Sequence, residues 1–251
     1  MRKPSIDQYR YFLQDTIRQE IDFTQTDQQL GVEPPPLEKP FPNGARRLDL
    51  PSIDQWKGIE PMDLAKAIAV RQSHRSFTVE PLTLDELSFL LWATQGVRNR
   101  QGRGPILRTV PSAGNRHALE TYLAVSHVTG LEPGVYRYLP LEHQLLPLFS
   151  EEQMPQKLTE ATLGQDFVGN SAVVFIWTTI PYRMEFRYGL AAHKVIALDA
   201  GHVCQNLYLA CEAIRAGTCA VAAYHQQLMD QLVQVDGSNE FVIYLAPVGK
   251  V

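Results

Sequence analysis

The chain has 251 residues, 45% of them hydrophobic and 20% charged, with a formal net charge of -4. That length supports a full hydrophobic core, and the slightly acidic balance argues against a nucleic-acid binder, which would carry a marked basic excess. No run of about 18 consecutive apolar residues is present to cross a membrane, and the start lacks an apolar signal core, so a cytoplasmic protein meeting a small-molecule partner is expected.

Taken in order, residues 5–23 carry Ile6, Tyr9, Phe12, Leu13 and Ile17 mostly three and four apart, the period of a short amphipathic helix. From Gln25 to Trp56 the chain is punctuated by Pro34, Pro35, Pro36, Pro40, Pro42 and Pro51, which forbid a long helix or a central strand. Leu37, Phe41, Leu48, Leu50 and Ile53 are interspersed among them, so an extended arm is expected, lying on its own subunit or on a partner. The chain divides accordingly into residues 1–56, a helix and arm, and residues 57–251, the main domain.

Pro61 is placed to start a helix through Leu64–Val70. Thr83 with Glu86 makes a capping box, Leu82 with Leu87 a hydrophobic staple, and Gly96 a stop, which predicts a helix over 84–95. Val97 to Arg108 holds Arg98, Arg100, Arg103 and Arg108 among Asn99, Gly102, Gly104 and Pro105. It reads as a mobile basic loop, either a lid or a plain solvated segment. Strands are expected over Glu120–Ser126, Val135–Leu139, His143–Phe149, Ser171–Trp177 and Phe241–Leu245, the fourth an almost unbroken apolar run suited to a strand buried on both faces.

The segment Val195–Ile214 is apolar nearly all round, as in a helix covered on every side. Its polar residues Asp199, His202, Gln205 and Asn206 could line a buried site; an N-cap for Asp199 and a core position for His202 explain two of them as well. Cys204, Cys211 and Cys219 are odd in number and lack C-x-x-C spacing, which points to buried free thiols in a reducing compartment rather than to a metal site.

Two stretches carry candidate chemistry. In Arg71-Gln72-Ser73-His74-Arg75, two guanidiniums four residues apart with a hydroxyl between them could converge on one phosphate, or could simply complement the dipole of the preceding helix. In Pro111-Ser112-Ala113-Gly114-Asn115, small residues allow backbone to approach a flat ligand, with Ser112 and Asn115 offering polar contacts to a heterocycle; a turn before a strand accounts for the same residues. There is no Gly-x-Gly-x-x-Gly after a strand and no phosphate loop ending in Lys-Ser or Lys-Thr, so no stable dinucleotide or triphosphate site is expected.

Together with Gly130-Leu131-Glu132-Pro133-Gly134-Val135-Tyr136-Arg137-Tyr138, Leu198-Asp199-Ala200-Gly201-His202-Val203-Cys204-Gln205-Asn206-Leu207 and the terminal Pro247-Val248-Gly249-Lys250, these stretches resemble the nitroreductase superfamily, specifically its SagB/ThcOx-type dehydrogenases. The resemblance spans most of the chain. It implies an α+β nitroreductase-like fold, a central and mostly antiparallel sheet flanked by helices, in an intertwined homodimer that binds FMN at the subunit interface.

Carried over, the resemblance implies that Arg71, Ser73 and Arg75 contact the FMN phosphate and ribityl chain. Pro111, Ser112, Ala113 and Asn115 would reach the flavin held mainly by the other subunit. Ala222 and Ala223 would place amides near the flavin's reactive nitrogen, and Lys250 would help hold the phosphate. Members that oxidise thiazoline or oxazoline rings carry a Lys-Tyr pair where this chain has Arg187-Tyr188. Arginine stays protonated and can position but not act as a base, so Tyr188 would carry proton transfer alone or with water. Three functions stay open: oxidation of azoline rings in a peptide, NAD(P)H-dependent reduction of nitroaromatics or quinones, and flavin binding without turnover.

Overall fold

The computed structural model describes residues 5–100 and 106–251. The tip of the basic loop, with Arg103, and the first four residues lie outside the described residues. A seven-stranded sheet organises the chain, every neighbouring pair antiparallel, in the order β1-β6-β5-β4-β7-β9-β8.

The N-terminal helix α1 (Ile6–Leu13) is capped by Ser5 and Gln8, is shorter than the periodicity predicts, and buries no residue. The chain then continues through short 3-10 turns into the arm, whose only strand, β1 (Leu48–Asp49), pairs with the edge of the sheet. The arm is held by both kinds of contact: Leu50 is buried, Leu48 packs on the core and Trp56 on Phe89 and Trp92, while Leu37 and Ile53 stay exposed and polar bonds do the rest. The main-chain N–H of Lys39 donates to Glu120 and its ammonium to Glu240, while Arg108 and Arg137 donate to the carbonyls of Leu37 and Lys39. These contacts join residues 71 to 201 positions apart and leave no local trace in the sequence.

Helix α2 (Leu64–Val70) starts at Asp63, whose carboxylate accepts the N–H of Lys66; Pro61 lies before it instead of inside its first turn. Helix α3 (Leu84–Gln95) has the predicted capping box from Thr83 and Glu86, and Leu82 and Leu87 are fully buried together. Gly96 ends it, as the predicted stop. Its φ is -60°, and a Cβ there would lie 2.4 Å from the Trp92 ring. The basic loop is a hairpin at its base, β2 (Val97–Arg100) against β3 (Ile106–Arg108). Arg108 is buried, not solvated, and bonds to Gln95.

Strands β4 (Leu119–Val125), β5 (Gly134–Leu139) and β6 (Gln144–Ser150) form a meander, after which come helices α4 (Met154–Ala161) and α5 (Asp166–Gly169) and the wholly buried β7 (Val173–Thr179). Helices α6 (Tyr182–Tyr188) and α7 (Ala192–Glu212), strand β8 (Ala216–Thr218), helix α8 (Gln226–Leu232) and strand β9 (Phe241–Lys250) complete the order. Alternation along β4 and β7 sends Leu123, Phe175 and Trp177 to one face against α3 and α7, and Tyr122, Val174 and Ile176 to the other against α4, α5 and α8. Burying each such side chain contributes about 1.5–3 kcal/mol, so these two cores fix the register of the sheet.

Candidate functional site

The first candidate lies at the β8 edge. Arg71 closes α2, its N–H bonded to the Ala67 carbonyl, and the chain then runs extended beside β8 and the end of β9. Ser73 bridges to Thr218, His74 N–H donates to Thr218 O at 2.9 Å, and Thr78 N–H to Lys250 O at 2.9 Å. Two glycines permit this approach. A Cβ on Gly217 would lie 2.6 Å from the His74 side chain, and one on Gly249 2.8 Å from that of Phe77.

Here Ser73 Oγ is 2.9 Å from Tyr208 Oη, which also accepts the N–H of Ala220 at 2.8 Å; the Arg71 guanidinium lies over the Tyr208 ring, 5.1 Å from its centre. Either hydroxyl of the Ser73–Tyr208 pair can be the donor, while the phenolic oxygen also accepts the Ala220 N–H. Arg75 leans the other way, over Phe167 on the opposite face of the sheet. Neither Arg71 nor Arg75 forms an ion pair, although every Asp and Glu of the chain is among the described residues. Two cations without counterions, half-buried Arg71 and exposed Arg75, with the exposed Ser73 hydroxyl between them at a sheet edge, fit the phosphate end of a flavin nucleotide.

Lys250 does not share that freedom. Its ammonium is buried, paired with Glu86 at 2.5 Å and bonded to the Ile214 carbonyl at 2.7 Å. Ala222 and Ala223 are exposed beyond the short bridge of Val221 to Leu245, and Ala223 O accepts the Gln165 amide. Tyr208 is a participant the sequence hides, because it sits inside an apolar helical run.

The second candidate is the turn before β4. Gly114, Asn115 and His117 all have positive φ, of 56°, 58° and 48°. Glycine at 114 lets two side chains close on the turn, since a Cβ there would lie 2.6 Å from Tyr188 Oη and 2.7 Å from Arg187 Cδ and would push them back. The segment Pro111–Asn115 and the pair Arg187–Tyr188 are therefore packed together within one chain.

Asp199 anchors the turn from α7, accepting the Ala113 N–H at 3.2–3.3 Å and a hydrogen bond from Ser112. It lies well inside the helix and is no N-cap. Burial raises its carboxyl pKa, and the bonds from Ser112 and Ala113 oppose the rise. His202 and Gln205, expected to share a buried site with it, are exposed, and Asn206 donates to the Ala93 carbonyl. The Asn115 carboxamide bonds within the chain, donating to Ile106 O of β3 and accepting from His117 Nε2. His117 is neutral, its pKa pushed down to about 3 by burial first and then by Arg108, Arg183 and Arg116.

Arg183 on α6 donates to His117 O and, at 2.6 Å, to Glu120 Oε1, the same oxygen that accepts Lys39 N–H. Farther out on α6, Tyr182 Oη donates to Asp27 at 2.6 Å and Phe186 O accepts Gln28 N–H at 3.0 Å. The arm thus braces the helix that carries Arg187 and Tyr188.

The face of α7 formed by Ala197, Leu198, Gly201, His202 and Gln205 is open in the single chain, and a Cβ on Gly201 would meet nothing within 4 Å. Leu64, Ile68 and Val70 of α2 are likewise exposed. Cys204, Cys211 and Cys219 are free and buried. No helix among the described residues is long and apolar enough to cross a membrane.

The sequence profile of the Nitroreductase family matches residues 68–250. MJ1384 of Methanocaldococcus jannaschii, described as a nitroreductase, is 34% identical over 196 residues, covering 78% of this chain and 95% of that protein. The trifolitoxin-processing protein TfxB of Rhizobium leguminosarum bv. trifolii is 27% identical over 232 residues, 88% of this chain but 61% of its own length. Among solved structures, a chain of the E. coli microcin synthetase McbBCD complex with truncated pro-MccB17 bound superposes with a TM-score of 0.61. It is 16% identical and covers 100% of this chain and 98% of that one.

Proposed function

The chain belongs to the nitroreductase family of oxidoreductases, and from that premise we propose that it is an FMN-dependent, SagB/ThcOx-type dehydrogenase oxidising thiazoline or oxazoline rings of a peptide to azoles. The observation carrying this reading is the packing of Gly114 beneath Tyr188 and Arg187, which sets the segment that would reach a flavin against the pair that would handle the substrate proton. The name of TfxB, a trifolitoxin-processing protein, and the peptide-bound microcin synthetase complex support a peptide-borne substrate.

In this reading residues 57–251 form the flavin-binding body and residues 1–56 an appended arm. Arg71 and Ser73, with Arg75 across the edge, hold the phosphate, and Ala222 and Ala223 remain candidates for backbone contacts to the ring. FMN, when bound, would supply the acceptor for the two electrons of the oxidation. Tyr188, acting as its phenolate, would receive the ring proton, directly or through water, and become the neutral phenol, while the Arg187 guanidinium would orient the reacting molecule. The exposed faces of α2 and α7 would be covered by a second copy of the chain, completing two sites per homodimer.

A second reading, an NAD(P)H-dependent reductase of nitroaromatics or quinones, is favoured by Arg187 in place of lysine, since such a reaction needs no dedicated protein base. Purified protein incubated with FMN and a thiazoline-bearing peptide, followed by mass spectrometry, decides between them. A loss of two mass units supports the first reading. Reduction of the flavin by NADPH with turnover of a quinone and no peptide oxidation supports the second.

A further inference from the structure

We propose that Arg116 and Arg187 form a binding site for an anionic group, carboxylate or phosphate, carried by the molecule that reacts beside Tyr188. The inference rests on the flavin reading given above and adds to it a ligand chemistry and a second anion site apart from the phosphate clamp.

The two guanidiniums arrive from different elements. Arg116 follows the Gly114 turn and lies over Phe186, 5.9 Å from the ring centre; Arg187, at the end of α6, lies over Tyr188 at 5.5 Å. They are near enough to feel each other, since the Arg116 pKa is lowered first by burial and then by the charge of Arg187. All the acidic residues are described and none forms an ion pair with either arginine; Glu185, on the same helix as Arg187, is bonded to His193 instead.

Arg116 Nε is buried without an acceptor. The buried Arg108 and Arg137 also leave their Nε without an acceptor, but unlike Arg116 each reaches a partner through its terminal nitrogens. Arg108 reaches Gln95, Arg137 the Lys39 carbonyl, and Arg183 both Glu120 and the His117 carbonyl. Adjacent like charges, one of them stripped of part of its water, cost stability unless an oxyanion joins them, and the guanidinium fork matches the two oxygens of a carboxylate or phosphate.

The floor of the site is the Gly114 backbone, closed on by Arg187 Cδ and Tyr188 Oη. An anion held between the two arginines keeps the rest of its molecule against the Tyr188 phenol. The site therefore takes a reactant bearing an oxyanion a few bonds from its reacting ring. Two sources share that chemistry: the carboxylate of a substrate and the pyrophosphate of a nicotinamide nucleotide.

The test is calorimetric titration of the FMN-loaded protein with benzoate, with benzamide as its neutral counterpart, and with NADPH under anaerobic conditions. Arg116→Gln and Arg187→Gln are each expected to weaken benzoate binding by about tenfold or more while leaving benzamide affinity and FMN content as in the parent. An equal loss for NADPH assigns the site to the reductant's pyrophosphate; a loss for benzoate alone assigns it to a substrate carboxylate. Failure of the parent to retain FMN speaks against the flavin reading. Retained FMN with unchanged affinity for both anions in the variants, or with neither anion bound by the parent, overturns the site.

Discussion

The hydroxyls of Tyr208 and Ser73 lie 2.9 Å apart, and the same phenolic oxygen accepts the Ala220 N–H at 2.8 Å. One side chain of α7 thereby orients the serine of the clamp and satisfies the backbone just beyond β8. Tyr208→Phe removes both bonds and leaves a half-buried N–H without its partner, at a cost of about 1–3 kcal/mol. The expected result is FMN affinity lowered by about tenfold, read by quenching of free flavin fluorescence on titration with the apoprotein. An unchanged affinity would detach Ser73 from the phosphate.

Arg71→Ala tests the clamp itself. A charge-assisted contact to phosphate contributes about 1.5–3 kcal/mol, so FMN binding should weaken roughly tenfold or more, and further in the double variant with Arg75→Ala. Because Arg75 leans over Phe167 and Arg71 over Tyr208, the Arg71 change is expected to be the larger of the two. Equilibrium dialysis with FMN checks both.

Tyr188→Phe should reduce azoline oxidation by on the order of a hundredfold while leaving FMN content unchanged. Under the reductase reading the same variant passes electrons from NADPH to an artificial acceptor at near the parental rate. A variant that keeps full azoline oxidation removes Tyr188 from proton transfer.

Glu38, a buried residue of the arm, has its pKa lifted by desolvation from 4.5 to about 6 against the bond it accepts from Leu141 N–H. A carboxyl raised on folding is penalised when ionised, so stability falls as pH rises from about 4.5 to about 6 and stays lower above that window. The shift corresponds to about 2 kcal/mol. Glu38→Gln should accordingly be more stable than the parent at pH 8 and equal to it at pH 4, measured by urea denaturation at the two values.

A homodimer closed over the open faces of α2 and α7 predicts that Leu198→Glu, at a position 54% exposed in the single chain, dissociates the protein and lowers FMN retention together. Sedimentation at micromolar concentration reads the first effect and absorbance the second. A dimer indifferent to the substitution places its interface elsewhere.

What the sequence reveals here is local chemistry. The capping box of Thr83 and Glu86, the alternating strands and the buried run of β7 each announce themselves within a few residues. Features that depend on distant partners do not. Lys39 reads as one more lysine in a proline-rich stretch until Glu120 and Glu240 arrive from other strands, and Asp199 reads as a cap until Ala113 meets it in space. The three-residue β8 carries only Ala216, Gly217 and Thr218, too short and too small for any alternation to show. A clamp at Arg71 and Ser73 can be proposed from spacing, but Tyr208, which meets both side chains, is indistinguishable in sequence from the core residues around it.

Glu120 carries a wider consequence. A single carboxylate oxygen ends two lines of contact, one from Lys39 in the arm and one from Arg183 in α6. The arm falls outside the residues matched to the family profile, whereas α6 lies within them. Whatever lifts the first fifty residues away leaves an arginine and a glutamate, each 3% exposed, to hold each other without their third member. The slackening would travel along α6 to its last turn. A segment outside the family match is thus tied to the helix that bears Tyr188, and changes far from that residue, in Asp27 or Lys39, are expected to alter how firmly it is aimed.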